Sequence, residues 1–271
     1  AKWHAQAGTL SRLQPPYGYL TQLSDGQIPF DRKELGAYRL FFTQLLEVLP
    51  DRPDGYGMLG FCHYQMGDTR KAIAAYQKAA QIVPSFLWFN YGLGFLYFQK
   101  KDYQRAADYL NRAIASSPEV ILRFMASSKV YLDAIAAVPN FQQQLPQRVR
   151  DSLRDSYKML VLSYFHLRQY DRLIVAARLA VDQKLDDDGF FLYYLGVGAF
   201  YANQFDRAIA YLQESLQKNP DAAEGYYYLA MALNALNKEE MAVAALQKAR
   251  ALGKTKGASY SDLKGVRLRI F

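Results

Sequence analysis

PDGYGMLGFCHYQMGDTRKAIAAYQKAAQIVPSF, residues 53–86, and LWFNYGLGFLYFQKKDYQRAADYLNRAIASSPEV, residues 87–120, are two lines of one pattern. In the first line Tyr56, Leu59 and Gly60 share a face at helical spacing, and Ala72, Tyr76 and Ala79 share a face of a second helix. Between them stands Met66-Gly67-Asp68, where glycine can take the left-handed conformation that ends a helix. Pro84 stops the second helix. Gly60 and Gly94, Ala72 and Ala106, and Pro84 and Pro118 are each 34 residues apart. Pro50, Pro220, Ala208 and Ala242 fall on the same lattice. A fixed period of this length predicts a solenoid of stacked helix pairs.

Leu59-Gly60, Ala72, Ala79 and Pro84, with Leu93-Gly94, Tyr97, Tyr103, Ala106, Ala113 and Pro118 in the next unit, resemble the tetratricopeptide repeat. Further copies run through Tyr157, Leu160, Tyr164, Tyr170 and Ala180, then Leu195-Gly196, Phe205, Ala208 and Pro220, then Tyr226, Leu229-Ala230, Ala242 and Ala249. The resemblance implies an all-α fold, a right-handed superhelical solenoid of about five to six helix-turn-helix repeats. Glycine or alanine at the close-contact positions lets paired helices approach, and a larger side chain there overpacks at a cost of about 1 to 3 kcal/mol.

The array is expected to run continuously over 34–256, each repeat touching only its neighbours. An irregular N-terminal segment, 1–33, precedes it and a basic C-terminal tail, 257–271, follows. Pro15-Pro16, Gly18, Gly26 and Pro29 exclude a first helix in the N-terminal segment. Leu35, Tyr38, Phe42 and Leu45 then hold the second-helix phase of one more repeat. Residues 121–153 form a degenerate repeat. Its first half, with Phe124, Val130 and Tyr131, reads as helix, and Pro139 and Pro146 are expected to break or shorten the second. That stretch is either a decayed repeat or a functional loop on a rigid scaffold.

With 51% apolar and 21% charged residues the composition is that of a soluble globular protein, expected in the cytoplasm or periplasm, and no stretch approaches the length of a transmembrane helix. A single cysteine, Cys62, excludes an internal disulfide framework and a cysteine-cluster metal site. The chain starts at Ala1 without a methionine and without a hydrophobic signal region, as a processed or excised chain would. Of the net charge of +8, the residues Arg250, Lys254, Lys256, Lys264, Arg267 and Arg269 against Asp262 place +5 in the last stretch of chain. Such a tail can hold nucleic acid or an anionic membrane surface. A solvated end that keeps the protein soluble is the preferred reading, and nucleic acid is not the expected partner. Val266, Leu268 and Ile270 alternate with Arg267 and Arg269 in a strand-like pattern able to add to a partner's sheet.

Gly55, Gly57 and Gly60 match G-x-G-x-x-G, but a dinucleotide site needs a preceding strand and a βαβ context, and the repeat phase puts these glycines inside a helix hairpin. His63 and His166 belong to repeats too far apart on a solenoid to share a metal or relay a proton. Asp186-Asp187-Asp188 falls between two repeats without the alternating oxygen ligands and later glutamate of a calcium loop. It reads as a solvated, helix-capping turn. Neither a phosphate-cradling loop nor a nucleophile elbow occurs. No catalytic residue, metal ligand or cofactor is expected, and the chain is not read as an enzyme.

In the family the first helices line a concave face, and the resemblance assigns that face to positions rich here in rings. The expected peptide-binding set is Phe61, Tyr64, Trp88, Tyr91, Phe95, Phe98, Lys129, Lys158, Phe165, Tyr193, Phe200 and Tyr227, with Phe190 and Tyr201 on the same stripe. Each buried ring is worth about 1.5 to 3 kcal/mol, so an open stripe of them would be a large apolar surface needing cover. The family's chaperone-tail clamp needs lysine and asparagine where this chain has Gly57 and Phe61. The expected function is therefore a non-enzymatic scaffold or adaptor holding an apolar or amphipathic peptide of a protein partner in an aromatic groove. Other covers for the stripe are the chain's own segment 1–33, with Trp3, Tyr17, Tyr19 and Phe30, or a second copy in a homo-oligomer. The alternative role is a structural component of a bacterial envelope machine such as a pilus, secretion, flagellar or polysaccharide-export complex. The basic strand-like end and the absent methionine point to it.

Overall fold

A computed structural model of the chain describes residues 32–128, 140–253 and 266. These form twelve helices and no strand. In chain order they are α1 (Arg32–Val48), α2 (Pro53–Gln65), α3 (Thr69–Ile82), α4 (Leu87–Gln99), α5 (Tyr103–Ile114), α6 (Pro118–Ser127), α7 (Phe141–His166), α8 (Tyr170–Asp182), α9 (Phe190–Tyr201), α10 (Phe205–Lys218), α11 (Ala223–Ala235) and α12 (Glu239–Gly253). The fold is an all-α solenoid of helix hairpins. The described residues divide into two compact units, one of 32–100, 108–128 and 140–152, the other of 101–107, 153–253 and 266. Most of the expected irregular segment 1–33 and of the tail 257–271 lies outside the described residues, as do Lys129, Val130, Tyr131 and Pro139. Arg32 and Lys33 already belong to α1.

The period is written in the backbone as well as in the side chains. Gly67 has φ 85° at the end of α2, and Lys101, Arg168, Asn203 and Asn237 take φ of 59°, 56°, 58° and 57° one residue past the C-caps of α4, α7, α9 and α11. At four of these sites the same pair of hydrogen bonds closes the helix. After α7, for example, Arg168 N donates to Phe165 O (3.0 Å) and Gln169 N to Tyr164 O (2.9 Å). This satisfies orphan carbonyls of the last turn and reverses the chain in two residues. Asp68 and Asp102 then cap the next helices by accepting from Lys71 N (3.1 Å) and Arg105 N (3.2 Å).

Packing between helices rests on missing side chains. A Cβ at Gly60 would lie 2.7 Å from the Tyr76 ring, one at Gly57 2.6 Å from Phe89, and one at Gly196 2.5 Å from Leu212 Cγ. Tyr76, Phe89 and Leu212 are all buried. Gly55 meets Leu46 in the same way, so all three glycines of the G-x-G-x-x-G run inside α2 are seats for neighbouring side chains. The expected helix before the first hairpin is α1, whose Leu35, Tyr38, Phe42 and Leu46 are buried.

Two expectations are corrected. Pro146 does not break its helix: α7 runs unbroken from Phe141 to His166 and so fuses the second helix of the degenerate repeat to the first helix of the next. The proline falls early in the helix, among exposed residues, where water can take the carbonyl its ring leaves unpaired. The acidic turn caps α9 as expected, Asp186 Oδ1 accepting from Phe191 N (2.8 Å) and Asp188 Oδ1 from Phe190 N (3.2 Å), but Asp186 is buried rather than solvated. Each carboxylate meets its own cation: Asp186 with Lys218 of α10, Asp187 with Arg154 and Asp188 with Lys158 of α7. Burial raises the Asp186 carboxyl above the usual carboxylate range despite these donors. Of the strand-like alternation only Val266 is described, and the rest lies outside the described residues.

A left-handed residue with a Cβ stores strain of about 1 to 2 kcal/mol. Replacing exposed Arg168 by glycine is expected to stabilise the protein by about 0.5 to 1 kcal/mol after glycine's larger entropy loss is deducted. Urea unfolding of the variant reads the change, and a loss of stability would refute a strained turn.

Candidate peptide-binding surface

In the first unit α4 is buried on every side from Leu87 to Tyr97. Trp88 Nε1 donates to Ser152 Oγ (3.0 Å), and that hydroxyl donates to Arg148 O (2.8 Å), so the N-terminal half of α7 lies over the indole. Phe86 meets Trp88 on one side (5.5 Å between centroids) and Phe124 of α6 on the other (4.2 Å). Tyr91 stacks on Phe95, and Tyr64 sets its edge against Phe95 (5.6 Å). Phe61, Trp88, Tyr91 and Phe95 are thus interior residues, and their expected exposure is corrected. The physical cause at Trp88 is the long α7, which the proline-based reading had cut short. Only Tyr64 and Phe98 of this set remain half-buried, with Gln99 Nε2 donating to the Tyr64 hydroxyl (3.2 Å).

The second unit keeps more of its rings at the surface. Tyr193 and Phe190 are buried, but Phe165 and Phe200 are half-buried and Tyr201 and Tyr227 exposed. Tyr170 and Tyr201 stack nearly parallel, 4.3 Å between centroids. The Tyr201 and Tyr228 hydroxyls stand 3.4 Å apart, and Phe200 and Tyr227 flank Tyr228 at 5.9 and 5.8 Å. Phe165 touches Tyr170 and Tyr194. Burial holds the Tyr194 and Tyr228 phenols above their ordinary range, so both keep their protons at neutral pH and can donate. Beside the stacked pair a cavity of about 530 Å³ is lined by Arg168, Tyr170, Arg172 and Tyr201. The cluster thus joins apolar faces to hydroxyl and guanidinium donors.

Lys158 is placed elsewhere in the economy of the fold. Its ammonium pairs with Asp188 (2.6 Å) and lies 4.9 Å from the Phe190 ring centre, a cation–π position. Lys129 lies outside the described residues. Sequence reasoning left Tyr170 and Tyr228 out of the site. Tyr170 opens a second helix, and Tyr228 stands one residue past the position that the resemblance assigns to the concave face. The signal was present in the run Tyr226-Tyr227-Tyr228, since a helix cannot bury three successive rings against one neighbour.

The single cysteine is shielded from solvent. Burial pushes the Cys62 thiol up to about 12, and Cys62 is inaccessible. A thiol reagent at neutral pH is therefore expected to modify the native protein only at the rate of unfolding and the urea-unfolded protein at once. Rapid labelling of native protein would contradict this packing. Because Trp88 is fully enclosed, Trp88→Ala is expected to lower stability by about 3 to 5 kcal/mol, read as a shifted urea midpoint. A surface ring would lose little.

Comparison with known proteins agrees with the helix pattern. Residues 60–101 match a model described as TPR repeat, and residues 88–120 and 193–256 match models described as Tetratricopeptide repeat. A curated relative, BBSome complex member BBS4 of Bos taurus, is 26% identical over 207 residues, which are 73% of this chain and 38% of the relative. The chain thus spans well under half of that protein's length. Among solved structures the fold is similar to MamA, with a TM-score of 0.54 and 18% identity over 73% of this chain and 96% of the other. It is also similar to YrrB, described as a TPR protein with an unusual peptide-binding site, with a TM-score of 0.58 and 19% identity over 79% and 93%. At such identities the structural likeness concerns the fold alone.

Proposed function

The chain is a tetratricopeptide-repeat protein, and from that premise we propose that it is a non-enzymatic interaction scaffold that takes an apolar or amphipathic peptide on the open ring cluster of its second unit. The observation that carries this reading is the surface ladder Phe165, Tyr170, Tyr201, Phe200 and Tyr228 with Tyr227 at its end. These rings stay wholly or partly in solvent while the other apolar side chains of α9 are enclosed. Rings of this kind bury much area for little entropy, and their hydroxyls fix the orientation of a backbone laid across them. Phe61, Trp88, Tyr91, Phe95 and Tyr193 stiffen the helices from beneath, and Tyr64 and Phe98 are the corresponding surface rings of the first unit. Membership of a complex in BBS4 and a peptide site in YrrB are properties of those proteins, and they support a binding role over a catalytic one. No helix among the described residues is long and apolar enough to cross a membrane.

A phage-displayed library of short random peptides tests the reading. Selection on the wild-type chain is expected to enrich peptides carrying spaced apolar residues. The double variant Phe200→Ala with Tyr201→Ala, its helical circular dichroism unchanged, should lose that enrichment about tenfold or more, a difference of roughly 1.4 kcal/mol. Equal enrichment on the variant would remove the ring cluster from the site.

A further inference from the structure

The last hairpin, α11–α12, presents outward the same residues that the preceding hairpin, α9–α10, hides. One period of 34 residues relates Tyr193 to Tyr227, Val197 to Met231, Ile209 to Val243 and Leu212 to Leu246. The earlier four are 5%, 0%, 9% and 0% exposed. Of the later four, Tyr227 is 49% and Val243 55% exposed, and Met231 and Leu246 are half-buried. What makes the difference on the earlier hairpin is α11, which packs on α9 and α10. Its Gly225 sits against Leu216 so closely that a Cβ would lie 2.8 Å from Leu216 Cδ2, and its Tyr228 ring meets Tyr193 at 5.9 Å. On the last hairpin the equivalent place is an apolar groove of about 440 Å³ lined by Tyr227, Met231, Asn234, Val243 and Leu246, with Glu239 at one end.

We propose that this groove is a second docking site, which meets the ring cluster only at Tyr227, and that it seats one amphipathic helix of another polypeptide in the relation that α11 bears to α9–α10. Size and charge choose this occupant. The seat is one helix wide and about 20 Å long, the length of the 13-residue α11. At a helix width of about 10 Å such a seat offers roughly 200 Å², well short of the roughly 800 Å² per partner of a stable interface between two copies. Since Gly225, near the start of α11, lies against Leu216, near the end of α10, a guest in the same sense starts beside Arg250, the period-equivalent of Leu216. It ends beside Glu239 and Glu240 in the first turn of α12. The guest therefore carries acidic residues in its first turn and basic residues in its last, which its own helix dipole also favours. Apolar residues at i, i+4 and i+7 face the groove. The chain's own residues 254–271 fit poorly, because they begin with Lys254 and Lys256, which would meet Arg250.

The probe is a labelled synthetic peptide as long as α11 that keeps the spacing of Gly225, Leu229 and Ala232, with glutamates in its first turn and lysines in its last. Fluorescence anisotropy with the full chain is expected to saturate. Met231→Asn with Val243→Asn should weaken binding about tenfold or more, and so should exchanging the charges at the peptide's two ends. Phe200→Ala with Tyr201→Ala should leave it unchanged, which separates this site from the ring cluster. The proposal is overturned by absence of saturable binding or by binding indifferent to Met231 and Val243. It is overturned equally if Leu268→Asp with Ile270→Asp raises affinity about tenfold, which would give the groove to the chain's own tail. Sedimentation showing a dimer that Val243→Asn dissociates would give it to a second copy.

Discussion

Everything in this fold depends on helices approaching one another more closely than ordinary side chains permit. At Gly60 the neighbour is the flat ring of Tyr76, at Gly57 that of Phe89, and at Gly196 the branched end of Leu212. At these contacts the array stands on van der Waals fit and apolar burial. The left-handed residue after α2, α4, α7, α9 and α11 is the complement of this fit. It turns the chain back within two residues, so that the second helix lies directly in the groove that the glycine leaves open.

Ring burial follows two courses from the same repeat. In the first unit α7 extends over α4, and Trp88 exchanges water for the Ser152 hydroxyl. In the second unit α9 is enclosed as thoroughly at its start, yet Phe200 and Tyr201 at its end, with Tyr170 and Tyr228 beside them, stay accessible. The rings that lie inside fill the interior, and those left outside form the surface on which the proposed partner would lie. The acidic turn before α9 adds a fixed point, since Asp186, Asp187 and Asp188 each draw in a cation from a different place in the chain.

The hairpins, their turns and the close-contact glycines were legible in the sequence because period and packing are the same fact: Gly60 and Gly196 stand on one lattice, and both lie where helices touch. Which rings face water was not. Exposure at Trp88 is decided by Ser152, 64 residues away in sequence, on a helix that Pro146 had argued against. Pro146 lies inside α7, past its first turn, but among exposed residues where water can take the Gln142 carbonyl, and the residue pattern alone does not show that the helix continues beyond it. The burial of Asp186 was hidden for the same reason, since its partner Lys218 comes from the end of α10, 32 residues on in the sequence.

The most direct measurement compares one chemical change at two glycines. Gly36, in α1, has nothing within 4 Å of an added Cβ, whereas at Gly196 the added atom meets Leu212 Cγ at 2.5 Å and the Ala208 carbonyl at 3.2 Å. Urea unfolding of Gly36→Ala should show a gain of about 0.5 to 1 kcal/mol from helix propensity. Gly196→Ala should show a loss of about 1 to 3 kcal/mol from overpacking. A gain at both positions would mean that close approach of the helices does not hold the array together.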